Sequence, residues 1–179
     1  MLLHRWAFAS LVTLAGCTSL GGGPQDNLLG GWDPSQWTDC RSLEDQDLRL
    51  FLCVPPGETH KDWTRLLLLR TMSRASQPLT SAEMVAAEID QMTKDCRTFV
   101  PNVISRQTEP QGDLEQSILL EAEQIGCHDY TDGDPIHRIL YGRFTVFKIT
   151  YHARTRETAR AHRDEWIKQL SEATIVSGP

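Results

Sequence analysis

Apolar positions in this chain fall into short dense runs separated by polar stretches marked with glycine and proline. The run LRLFLCVPP at 48–56 is apolar and aromatic and closes on prolines, which predicts a strand. TRLLLLRTM at 64–72 holds four leucines between arginines; its length and flanks predict a strand buried on both faces. A helix is expected next. Thr80 and Glu83 have the spacing of a capping box, with Leu79 and Met84 placed as its hydrophobic staple. Val85, Ile89, Met92, Cys96 and Phe99 then recur at spacings of four and three, one helical face, up to Pro101. NVISRQT, SILLEAEQIGC, HRILYG and FTVFKITYHA follow and read as four strands. Ile118, Leu120 and Ala122 alternate with Leu119, Glu121 and Glu123, and Gly142 marks the turn or bulge between the last two strands. A final helix is expected from about 156 to 173, with Ala159, Trp166, Leu170 and Ala173 on one face and Arg156, Arg160 and Lys168 away from it. The predicted order is ββαββββα. Its class is α+β, an antiparallel sheet of about five to six strands with two packing helices.

The first sixteen residues break this pattern. His4 and Arg5 give a positive start, and an apolar stretch of eleven residues runs from Trp6 to Gly16. A lasting membrane span needs about 20 apolar residues, so this stretch is too short. It has the layout of an export signal. Its ending, Leu14-Ala15-Gly16-Cys17, resembles the lipobox of bacterial lipoproteins. That resemblance implies cleavage of a signal peptide at 1–16, a diacylglyceryl group on the Cys17 thiol and an acyl chain such as palmitate on the new N-terminus. Thr18, where retained lipoproteins often carry aspartate, implies the outer membrane, with the protein facing the periplasm.

Residues 17–31 read as the lipidated N-terminus and a flexible tether, because glycines and a proline resist both helix and strand. Such a tether spans roughly 20 Å, and a single α+β domain is expected over 32–179. Trp32 and Trp37 stand close together at its start, where a lid over one end of the core is the expected role. The chain is 40% hydrophobic and 23% charged, which suits a globular domain. Its formal charge of −6 argues against a nucleic-acid partner, which demands a basic face. An acidic body should also stand off an anionic lipid surface.

Four cysteines remain once Cys17 is set aside: Cys40, Cys53, Cys96 and Cys127. An even number in an exported chain suggests disulfides, and four cysteines allow three pairings. The expected pairing is Cys40 with Cys53 and Cys96 with Cys127, the second tying the late part of the first helix to the end of a strand. No Cys-x-x-Cys spacing for redox catalysis occurs.

The element order resembles small envelope domains of the PsbP/DcrB type, represented by the photosystem oxygen-evolving P protein. The chain is also similar to uncharacterised proteobacterial lipoproteins that share a W-T-x-L-L-x-L strand, here Trp63 to Leu69. Neither resemblance implies an activity.

Candidate chemistry is sparse. CHDYTDGDPIH at 127–137 offers His128, Asp129, Asp132, Asp134 and His137, groups of the kinds that bind zinc or calcium. The spacing does not follow a calcium loop, since Thr131 and Gly133 occupy ligand positions counted from Asp129, and a polar turn is the expected role. His60, His152 and His162 lack spacing to a nucleophile. Glu121 and Glu123 share a strand face about 7 Å apart, which a solvated face explains. The chain holds no Gly-x-Ser-x-Gly elbow and no phosphate or dinucleotide loop. The expectation is a non-enzymatic lipoprotein with no catalytic, metal or cofactor-binding residue. Its partners would be a lipid bilayer, through acylated Cys17, and another envelope protein. A small-ligand or metal-binding module is the second reading, and an envelope hydrolase the third.

Overall fold

A computed structural model describes residues 26–45, 48–76, 81–127 and 133–178. Cys17, the Leu79–Thr80 cap, and His128, Asp129 and Asp132 lie outside the described residues. The elements are β1 (Asp26–Leu29), β2 (Arg41–Asp45), β3 (Leu48–Cys53), β4 (Arg65–Ser73), α1 (Ser81–Asp95), β5 (Cys96–Gln107), β6 (Leu114–Cys127), β7 (Ile136–Gly142), β8 (Thr145–Ala153), α2 (Arg156–Ser171) and β9 (Thr174–Ser177). Seven strands form one antiparallel sheet in the order β2-β3-β4-β8-β7-β6-β5, and β1 pairs with β9 in a second, two-stranded sheet. The α+β class is as expected, but the strand count exceeds the predicted five to six.

The two helices cover opposite faces of the sheet. On one face α2 packs over β6, β7 and β8, with Leu119, Leu140, Phe147, Ile149 and Tyr151 beneath Trp166 and Leu170. On the other, α1 packs over β5 and β6, with Val85 and Met92 above Phe99, Ile118, Leu120 and Ile139. This explains why every residue of β7 is buried, and why β8, read as alternating, is buried on both faces from Val146 to Ala153. A strand between two covered faces loses its solvated side, and β8 accordingly buries Lys148, Thr150 and His152.

The first helix ends at Asp95, before Cys96 and Phe99, which the helical spacing had placed on its face. Both stand in β5 instead. The β-branched and aromatic residues from Thr98 to Ile104 pair with β6, and cross-strand packing outweighs helical periodicity there. Pro101 sits inside this edge strand, where a missing N–H is tolerated. Cys96 lies directly opposite Cys127 in the β5–β6 ladder. The bridge between them therefore joins strand to strand, not helix to sheet (S–S 2.00 Å). Cys40 pairs with Cys53, S–S 2.06 Å, beside the β2–β3 ladder.

The last residues of the expected tether lie within the described fold. Asp26 to Leu29 pair with β9, and Leu28 packs on the α2-side core. Gly31 (φ 87°) lies so close to Ala173 and Ile149 that a Cβ would come within 2.9 Å of both side chains. Residues 26–31, ahead of the expected domain start at Trp32, are thus packed on the fold. Trp37 is 5% exposed and meets the Trp166 ring edge-on at 5.2 Å, the expected lid.

The Asp26 carboxylate holds this segment in place. It accepts the N–H groups of Phe144 (2.6 Å) and Thr145 (2.8 Å) and the Ser177 hydroxyl (2.8 Å), so β1 seals the β7–β8 turn. A Cβ on Gly142 would stand 2.8 Å from Asp26 Cγ. Gly142→Ala should therefore displace the carboxylate and cost about 1–3 kcal/mol, the range for stranding buried donors. In an Asp26→Ala background the same substitution should cost clearly less. Equal costs in both backgrounds in a denaturant double-mutant cycle would refute the contact.

Candidate functional site

The α1 side of the sheet carries most of the polar groups that penetrate the fold. Residues directly opposite one another in an antiparallel ladder share a face, so the registers fix their neighbours. One row runs Leu52, Leu68, Thr150, His137 across β3, β4, β8 and β7; the next runs Leu50, Arg70, Lys148, Ile139. His152 stands opposite Leu66, one step beyond the first row. Thr150 and His137 are 1% exposed, and Lys148 and His152 are 3% exposed.

Each buried group has a specific environment. The Lys148 ammonium donates to Glu88 Oε1 at 2.5 Å, reaching the flank of α1. His137 Nδ1 and Thr150 Oγ1 are 3.0 Å apart, while His137 Nε2 is buried with no partner among the described residues. Burial, then the charge of Lys148 and the neighbouring His152, hold the His137 pKa well below the usual 6.5. Arg70 has a fully buried Nε without a partner among the described residues.

His137 and Thr150 have the spacing of a hydroxyl nucleophile and its base. Their burial keeps a substrate carbonyl out of reach, and the contact is structural. The depressed His137 pKa sets a stability effect. Above about pH 6.5 both folded and unfolded states hold this imidazole neutral. Below it the unfolded chain binds the proton first, so stability falls with pH toward the folded pKa, by up to about 1.4 kcal/mol per unit. His137→Gln should flatten the denaturation free energy between pH 6.5 and 5. An unchanged slope in the variant would assign the loss to other groups.

The remaining sequence candidates disperse. Glu121 accepts both arms of Arg163 (2.8 and 2.9 Å), and Glu123 accepts Arg156 (2.6 Å). The strand face read as solvated is therefore a clamp on α2. The Arg163 hydrogen bonds hold the Glu121 carboxyl below its usual pKa despite partial burial. Asp134 lies 3.6 Å from Arg156. His60 Nε2 meets the Asp39 carbonyl at 2.7 Å, His162 lies 3.5 Å from Glu165, and the His152 ring faces Trp63. Among the described histidines His137 and His152 come together, and among the described residues no group of three or more metal-ligating side chains forms. Arg70, Lys148, Thr150 and Glu88 were missed. The signal lay in FKITYHA, where Lys148, Thr150 and His152 recur at every second position.

No protein-family model matches the chain, and no curated protein matches it.

Proposed function

We propose that this chain is an envelope lipoprotein, acylated at Cys17 and held to the outer membrane facing the periplasm. In this reading its domain works by contact with another envelope component, not by catalysis. The observation that carries the reading is the pairing of all four other cysteines as two disulfides. Disulfides persist in oxidising compartments outside the cytosol. The lipobox supplies the address, and its likeness to envelope lipoproteins, like that to PsbP/DcrB-type domains, belongs to the same proposal. Eight residues separate Cys17 from Asp26, a reach of at most about 32 Å, so the domain works close to its bilayer.

Fractionation tests the anchor. The wild-type chain should sediment with membranes, and Cys17→Ser should lose the acyl-dependent share of that binding. In-cell crosslinking tests the contact: a protein neighbour captured with the wild-type chain supports the reading, and failure to capture any would count against it. The second reading, a small-ligand module, is favoured by one observation. The α1 side holds a half-open apolar floor with a cation set into it.

A further inference from the structure

The sheet face beneath α1 changes character across its width. Under α1 it is apolar, then comes the column of Lys148, Thr150 and His152, and beyond it a strip of leucines on β2, β3 and β4. Leu43 stands opposite Leu50, and Leu50 opposite Arg70. Leu43 is 68% exposed, and Leu50, Leu52 and Leu66 are half-buried and outside both core clusters.

We infer that this strip binds a single-chain carboxylate amphiphile of the fatty-acid type, its head on Arg70 and its chain over Leu43, Leu50, Leu52 and Leu66. This deepens the small-ligand reading and rests on it.

Charge argues for the head group. Arg70 has no ion-pair or hydrogen-bond partner among the described residues, and Glu88, the carboxylate at its cross-strand neighbour Lys148, is engaged by that lysine. Arg41 lies on the same face, opposite Leu52. Asp45 alternates with Arg41 and Leu43 on β2 and offsets Arg41, so Arg70 leaves one positive charge over, and an arginine fork matches a carboxylate in two parallel hydrogen bonds. Shape argues for a single chain. Glu88 on α1 reaches Lys148 on β8, so the flank of α1 ends beside the strip and leaves the leucines beyond it uncovered by that helix. Three half-buried leucines and one exposed leucine offer far less than the about 800 Å² per partner of a stable protein interface. An apolar chain with one anionic end fits both limits.

The test is titration of the purified full chain with sodium decanoate, below its micelle concentration, followed by leucine methyl resonances. Decanol and acetate serve as controls. Decanoate should give saturable shifts at Leu43, Leu50, Leu52 and Leu66. Arg70→Gln should weaken decanoate at least tenfold and leave decanol unchanged, and Leu43→Glu should weaken both. Arg70 has no partner among the described residues and Leu43 is exposed, so both variants are expected to fold; if Arg70→Gln does not, Leu43→Glu decides. The inference is overturned by no saturable shift, by equal decanoate affinity in Arg70→Gln, by acetate reproducing the effect, or by shifts that appear on concentration alone, which would mark a second copy as the occupant. None of these results bears on acylation of Cys17 or on a captured protein neighbour, so the wider proposal stands or falls separately.

Discussion

Trp166→Ala should destabilise the domain by about 3–5 kcal/mol, the range for deleting a large buried aromatic side chain. Trp166 is 0% exposed. Its ring stacks on Tyr151 at 4.3 Å and meets Trp37 edge-on, so one side chain joins α2, β8 and the lid before β2. Its removal opens a cavity that all three must collapse into. Trp166→Phe should cost much less. It keeps most of the volume, and it removes an indole N–H that is buried with no partner among the described residues. Urea denaturation of both variants checks this. Similar losses for phenylalanine and alanine would mean that shape, not buried volume, governs the site.

Glu88→Ala should cost about 3–5 kcal/mol for a different reason. The Lys148 side chain is 4% exposed and the Glu88 side chain 17%. Removing the carboxylate strands an ammonium in the interior opposite Arg70, and breaking one half of a buried pair is far worse than replacing both. The double variant Glu88→Leu with Lys148→Met should recover most of the loss. A single variant with unchanged stability would show that Lys148 finds another partner or escapes to solvent.

The sequence announced these two sites unequally. Trp166 was legible, since a tryptophan on the apolar stripe of a helix has one economical place to go. Lys148 was not, because alternation in a strand tells which residues share a face but not whether that face meets water. The same limit hid the arginine clamps on Glu121 and Glu123. Elements with long apolar runs were found; β1, β2 and β9 were not. DNLL sits beside glycines and reads as tether, RSLED has one apolar residue, and TIVS follows a helix without a break. β1 and β9 are strands because they pair with each other across the chain, and β2 because it pairs with its neighbour β3. The span 96–99 erred the other way, where helical spacing extended by coincidence into residues that a cross-strand disulfide and the β6 ladder hold extended. The disulfide partners were anticipated, although the elements they join were not all read correctly.

The most direct test of the account is intact-mass and peptide analysis of the protein isolated from its native membrane. The expected product is a mature chain that begins at Cys17 and carries a thioether-linked diacylglyceryl group, an N-terminal acyl chain and four further cysteines without free thiols. An N-terminus elsewhere with an unmodified Cys17 would contradict it.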